Sequence, residues 1–384
     1  MKIRQSIVRN LAGLEEIQDC FGDIKPNLIL LFGAIDHFQP DGVVSRLPSL
    51  FPDANIVGCS TAGEITAEGV DDGTCVISAI EFANTVFTCA STPLNSMDDS
   101  FAAGVRLGQA IAALDLKAVL LFGPGVQING SALVDGMTSI IGSAVTITGG
   151  LAGDGGAFQQ TFTVGTDGIS DHHIVAIGLS GDHLRLGHGS FGGWEAFGPA
   201  RKVTRCAGNI LYELDGEPAL GVYKRYLGDH ASGLPASGLL FPFAMLGEDH
   251  NAIGLIRTIL AVDESQGSLT LAGEINANGY LKLMHASTDK LVNGAESAAE
   301  LASKSVAGMS GSRGEQLAIL VSCVGRKLVM GNRVDEEVEA VGEVLGQDAI
   351  LTGFYSYGEI SPFTPGAACK LHNQTMTITC LSED

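Results

Sequence analysis

Residues 28–33 read LILLFG, and the same short apolar run returns as AVLLFG at 118–123 and within LAILVSC at 317–323. Each has the length and continuity of a strand buried on both faces. After the first run come a helix-like segment at about Asp41–Leu50, the loop FPDAN, a strand entering a Gly-rich turn (NIVGCSTAGEI, 55–65) and the strand CVISAIEF at 75–82. The second run is followed by a helix around Ala132–Ile141, then AVTITGGLAGDG (144–155) and HHIVAIGL (172–179). The third precedes an acidic helix, Asp335–Leu345, then AILTGFYSYGEI (349–360) and TMTITCL (375–381). Strand, helix, strand, turn, strand, three times over, predicts an α/β fold whose sheets are built from repeated βαβ-type units with right-handed crossovers. The segments 28–82, 118–179 and 317–381 are expected to superpose.

In each copy the second strand runs into a small residue or Tyr, then Gly, then an acid: Ala62-Gly63-Glu64, Ala152-Gly153-Asp154 and Tyr357-Gly358-Glu359. Matching turns would place these pairs on equivalent edges of the fold. Two readings stay open: Gly permits the turn while the acid caps backbone, or the three acids serve a ligand.

Between the second and third copies the pattern changes. Val203–Tyr226 reads as strand, turn and a helix with Ala219, Val222, Tyr223 and Tyr226 on one face. The stretch GLIRTILAVDESQGSLTLAGEI reads as a hairpin turning at Asp263–Gly267, and Asp289–Val306 as an Ala-rich helix. SGSRGEQ, 310–316, is a polar loop. A boundary near Asp215–Pro218 divides the chain into an N-terminal segment (1–25) and two domains, 26–216 and 217–384.

Composition narrows the function. The 384 residues hold 22 Lys plus Arg against 43 Asp plus Glu, a formal charge of −21. Such a surface repels phosphate backbones and anionic bilayers, so nucleic acid and membrane are not expected partners. No run of about 18 apolar residues suggests a spanning helix. The opening MKIRQSIVRNLAGLEE lacks the apolar core of a secretory signal. Eight cysteines with no CxxC pair read as reduced thiols in a cytoplasmic protein, with Cys75, Cys89, Cys323 and Cys380 in strands. No Walker A, HExxH or GxGxxG pattern is present.

Several strings resemble one family. GCSTAGEI (58–65), GGLAGDG, GWEAFG (193–198) and VTRCAGNILYELDGEPAL are similar to the FIST N-terminal domain. LGVYKRYLG, IRTILAVD, LAGEI, SCVGR, GFYSYGEISP and LHNQTMTI are similar to the FIST C-terminal domain. The resemblance covers the chain from about Pro26 to its end and implies two FIST halves that bind a small ligand and signal through a partner. Two-domain chains of this length also resemble the NosP-type haem proteins. That resemblance implies haem b, nitric oxide as the signal, and a sensor histidine kinase or cyclic-di-GMP enzyme as partner. Homo-oligomers are compatible with it.

Haem needs an axial ligand and a large apolar cleft. His188 lies in GHGSFGGWEAFG, where glycines would admit a flat macrocycle and Phe191, Trp194 and Phe197 would pack on it. The competing reading is a turn whose imidazole caps a carbonyl. His372, in LHNQT, suits a structural or general ligand role, and Tyr355 and Tyr357 are further candidates. A haem-free sensor of an amino acid or other metabolite would instead use Arg257, inside the apolar run LIRTIL, with Glu64, Asp154, Glu274 or Glu359 as its partner. An internal ion pair joining the halves explains the same residues. Cys59 at a strand end would serve a hydrolase, but CSTAG is not a nucleophile elbow and the second copy has Gly149 near that place. The expectation is therefore a sensor and no enzyme.

Overall fold

The structure is a computed structural model describing residues 1–14, 16–307, 315–363 and 367–384. The loop expected at 310–316 lies outside these up to residue 314.

The described residues form three six-stranded sheets and a fourth, larger one. In each six-stranded sheet an apolar run pairs in parallel with the strand that follows its crossover: Leu28–Gly33 with Asn55–Ser60, Leu116–Gly123 with Thr146–Leu151, and Gln316–Cys323 with Ala349–Ser356. The last strand of each copy, Cys75–Glu81, His173–Ser180 or Met376–Glu383, lies antiparallel on the other side of the apolar run. The crossovers differ. The second copy uses the helix Gly130–Ile141 and the third Val324–Met330 followed by Asp335–Leu345. The first has only short helical turns, Val44–Arg46 and Leu47–Leu50.

Each copy also opens with a strand that the apolar pattern does not reveal: Lys2–Val8, Val86–Pro93 and Leu184–Phe191. These form sheet edges and carry mixed polar and apolar faces, so no continuous apolar run marks them. The opposite edge of each sheet is supplied by a different copy. The hairpin Glu64–Thr66/Gly69–Asp71 of the first copy pairs with Ala349–Ser356 of the third. Thr163–Gly165 of the second pairs with Asn55–Ser60 of the first, and Gly358–Pro362 of the third with Thr146–Leu151 of the second. Main-chain bonds repeat the cycle where the three meet: Ala62 N–H to Tyr355 O (2.8 Å), Gly153 N–H to Ser60 O (2.9 Å), Tyr357 N–H to Leu151 O (3.1 Å). Between the sheets Phe32, Phe122 and Phe354 converge, with ring centroids 4.7–6.2 Å apart.

One glycine per copy is required by this packing. A Cβ on Gly58, Gly149 or Gly353 would lie 1.8, 2.1 or 1.9 Å from the carbonyl oxygen of Leu31, Leu121 or Leu320 on the parallel neighbour. The turn glycines are less alike. Gly63 has φ +135°, whereas Gly153 and Gly358 are not in the left-handed region, so the turns do not share one backbone conformation.

The third copy is interrupted after Leu184–Phe191 by a nine-stranded antiparallel sheet running from Glu195–Ala196 to Tyr280–His285, before the helix Thr288–Ala307 resumes the repeat. Its core gathers Val203, Leu211, Tyr223, Phe243, Ile259 and Leu281 under the helix Ala219–Leu227. Residue 216 lies inside this sheet, between strands that pair Glu213 with Pro218. The expected hairpin forms as Ile259–Asp263 with Ser268–Leu271. All eight cysteines are free.

Gly58→Ala and Gly353→Ala should each destabilise by about 1–3 kcal/mol, since the added methyl forces two paired strands apart. Gly221→Ala, on an open face of the helix Ala219–Leu227 with nothing within 4 Å, should stabilise by up to ~1 kcal/mol. Urea denaturation of the three variants checks the contrast.

Candidate functional site

The turn acids do not converge. Glu64 is fully buried and accepts from the Thr61 hydroxyl, the Thr74 amide (2.8 Å) and the Thr74 hydroxyl (2.8 Å). Glu359 repeats this with the Ser356 hydroxyl (2.8 Å), the Thr375 amide (3.1 Å) and the Thr375 hydroxyl (3.0 Å). Both carboxyls tie a donated hairpin to its own copy, the capping alternative rather than ligand binding. Asp154 is not their equivalent. In the second copy the connection 152–162 is much longer, and Asp154 accepts from the amides of Phe158, Gln159 and Gln160 (2.7–3.0 Å) and from the Tyr357 hydroxyl. The Tyr357 oxygen in turn accepts from Asp154 and Gly156 amides.

Arg257 is buried, as expected, yet no described carboxylate pairs with it. Its guanidinium donates to three main-chain carbonyls, Glu274 (3.1 Å), Ile256 (3.2 Å) and Leu371 (3.3 Å), and burial lowers its pKa to about 10. The expected pair with Glu64, Asp154, Glu274 or Glu359 is thus replaced by a carbonyl cage: Glu64, Asp154 and Glu359 are held by hydroxyls and amides elsewhere, and Glu274 contributes its main-chain carbonyl. Beside it His372 bonds Ser361 O through Nε2 (2.9 Å), and desolvation holds its pKa down at about 4. LHNQT is the seam joining the inserted sheet to the body. Leu371 O receives Arg257, Gln374 O receives the Trp194 indole N–H (2.9 Å), and the Gln374 amide donates to Leu239 O (2.9 Å).

A buried ion pair forms instead between Arg326 and Glu337 (2.6 Å), both side chains fully inaccessible. Glu337 also receives the Ser322 and Tyr355 hydroxyls, while Arg326 reaches Gly192 O and Leu291 O on either side of the insert. Tyr355 therefore belongs to a structural network. Neither SCVGR nor the acidic helix revealed this pairing in sequence.

The residues proposed around haem are not brought together. Gly187 and Gly189, flanking His188, press against Ala302 O and Ala298 O, so their missing side chains admit a helix and not a macrocycle. His188 Nδ1 is buried without a partner, and desolvation lowers its pKa. Phe191 is exposed, Trp194 packs with Met284, Leu291 and Met330, and Phe197 joins the insert's own core against His285. Cys59 is completely buried and its thiol is pushed well up by desolvation, opposite to what a nucleophile needs. No group of three or more His, Cys, Asp or Glu among the described residues is placed to hold a metal. No described helix is long and apolar enough to cross a membrane.

What the molecule does have is a cleft of about 980 Å³ where the second copy faces the inserted sheet. One wall is the loop from Gly125 to the helix start at Gly130, with the turn carrying Phe158. The other is Gly208–Asn209, 233–236, Leu260 and Leu271–Glu274 of the insert. Phe158 stacks on Tyr357 (4.0 Å, 15°) and is 37% exposed. Gln127 and Phe158, both on this first wall, have φ +56°, a costly conformation for residues with side chains. The Asp154–Tyr357 bonds described above hold the second of these. Arg257 lies behind Gly273, whose Cβ would meet its Nε at 2.8 Å. A second, more polar groove of about 440 Å³ shares Val126 and Gln127 and ends at Asp171–His172. His188 lines neither. Phe158 was not singled out in the sequence; the long Gly-rich connection LAGDGGAFQQ was its available signal.

The FIST N domain matches residues 27–217 and the FIST C domain residues 219–362. The chain belongs to the FIST family. FIST domains are small-ligand sensor domains of signal-transduction proteins. The two matched FIST regions meet inside the nine-stranded sheet, so they are not two separate spatial bodies. The chain is 26% identical over 246 residues to uncharacterized protein MJ1623 of Methanocaldococcus jannaschii, covering 59% of this chain and 44% of that one. Among solved structures, a cyanuric acid hydrolase from A. caulinodans aligns over 99% of both chains at 11% identity and a TM-score of 0.38. PurLQS from Thermotoga maritima aligns over 100% of this chain and 72% of its own at 9% and 0.22.

Burial raises the Glu359 carboxyl from an ordinary 4.5 to about 7, outweighing the hydrogen bonds that favour its charged form. A carboxyl raised on folding contributes stability present below pH ~4.5 and lost as pH rises through about 7. Glu359→Gln should flatten that segment of the stability–pH curve, measured by chemical denaturation between pH 4.5 and 8.

Proposed function

We propose that this FIST protein is a sensor, not an enzyme, that takes a small organic ligand into the cleft between its second repeat and the inserted sheet. The observation that carries the reading is the Phe158 platform. A large aromatic side chain is held exposed, in an unfavourable backbone conformation, by a carboxylate–phenol pair contributed by two different repeats. Nothing in the core requires that arrangement, whereas a ligand face packed on Phe158 would. Clefts between structural units, with apolar walls and a few fixed polar groups, are the usual sites for such molecules. Ligand contact with both walls would alter how the insert seats on its LHNQT seam, which supplies a route to a signalling partner such as a histidine kinase or a cyclic-di-GMP enzyme.

Haem does not fit this cleft. Among the described residues its lining holds no imidazole or thiolate, and the phenol there, Tyr357, is engaged by Asp154. No described Lys or Arg lines it to meet the propionates. The reading is therefore of a haem-free metabolite sensor, without the carboxylate anchor that an accessible Arg257 would have supplied.

Screening the full chain against a library of small metabolites by thermal shift should return stabilising compounds whose effect is lost in Phe158→Ala and kept in His188→Ala. Reconstitution with hemin should give no Soret band that depends on any cleft residue. Hits indifferent to Phe158, or a hemin Soret band abolished by a cleft substitution, would overturn the assignment.

A further inference from the structure

Resting on the cleft reading, we infer that the ligand is a flat aromatic amine, held as a cation, and not a carboxylate or phosphate. Shape comes first. Gly125, Gly130, Gly156, Gly208, Gly233 and Gly273 all line the cleft, so both walls present backbone at many points. Gly125 and Gly130 already sit against the body: a Cβ there would meet Ala152 O at 1.9 Å and Leu371 at 3.0 Å. The exposed ring of Phe158, backed by Tyr357, offers a face on which a planar group stacks, and aromatic faces attract cations.

Charge comes second. Among the described residues, the charged side chains lining the cleft are two carboxylates, Asp98 and Glu274, one on each wall, with no Lys, Arg or His. Arg257, behind the insert wall, is covered by Gly273 and committed to carbonyls, so it is not available to a ligand anion. The start of the helix Gly130–Ile141 does not replace it. The Ala132 amide is taken by the Asn129 side chain (3.1 Å), and the Asn129 amide group reaches Glu274 (3.5 Å). Gln127 and Asn209 complete the polar lining with side-chain carbonyls able to accept from an ammonium. A carboxylate in this cleft would meet two like charges and, among the described lining residues, no free counter-charge.

Ring-matched pairs that differ only in the sign of the side-chain charge test this: tryptamine with indole-3-acetate, and phenethylamine with phenylacetate. Binding to the full chain is followed by ligand-observed NMR and calorimetry. The amines should bind, the acids should not, and amine affinity should fall about tenfold in Asp98→Asn and in Glu274→Gln, as for loss of a charge-assisted hydrogen bond. Phe158→Ala should weaken the amines further. Acids binding as well as amines, with dependence on Phe158, would overturn the charge assignment and leave the cleft as the site. No binding by either set, or binding unaffected by Phe158→Ala, would overturn the site itself. Circular dichroism of each variant confirms that losses are not unfolding.

Discussion

Every six-stranded sheet of this protein is finished by a hairpin from another repeat, in the cyclic order first to third, third to second, second to first. An isolated repeat would expose an unpaired edge and half of a core, the condition under which strands pair with the wrong partner. The ring resolves this only when all three repeats are present, and its closure sets the demands seen elsewhere. Gly58, Gly149 and Gly353 must be bare for the parallel strands to approach, and the three phenylalanines must share one centre. The hairpin acids Glu64 and Glu359 belong to the same requirement. Each fixes the point at which the chain leaves its own sheet for the next, at the cost of burying a carboxyl.

The repeat was legible because its parallel strands are covered on both faces and so read as unbroken apolar runs. The edge strands were not, since half their residues face water or another element, and Lys2–Val8 in particular sat within what read as a leading segment. The first crossover forms only short helical turns in place of the helix expected across Asp41–Leu50, because Pro48 is tolerated only in a first turn. Among site residues, the burial of Arg257 was legible from a charge in an apolar strand, but its partners were not, because carbonyl cages leave no trace in side-chain pattern. His188 misled for a related reason. Glycines beside a histidine signal close approach of something, and sequence does not say whether that is a ligand or the helix Thr288–Ala307.

The cleft illustrates how near-symmetry is turned to use. Three repeats built alike would offer three equivalent surfaces, yet only the second has the long connection 152–162, and only the third carries the inserted sheet that faces it. Tyr357 of the third repeat then anchors the turn of the second through Asp154. The cleft wall is thus assembled by the departures from the repeat, while the repeat itself supplies the support.

The chain contains a single tryptophan, and it stands on the seam between insert and body. Trp194 is nearly inaccessible, donates its indole N–H to Gln374 O and packs on two methionine side chains. Any loosening of the insert would exchange that carbonyl for water and withdraw the sulfur contacts. The emission of one chromophore would therefore register insert docking with no background from other sites, a native optical gauge of the motion a sensor would have to make.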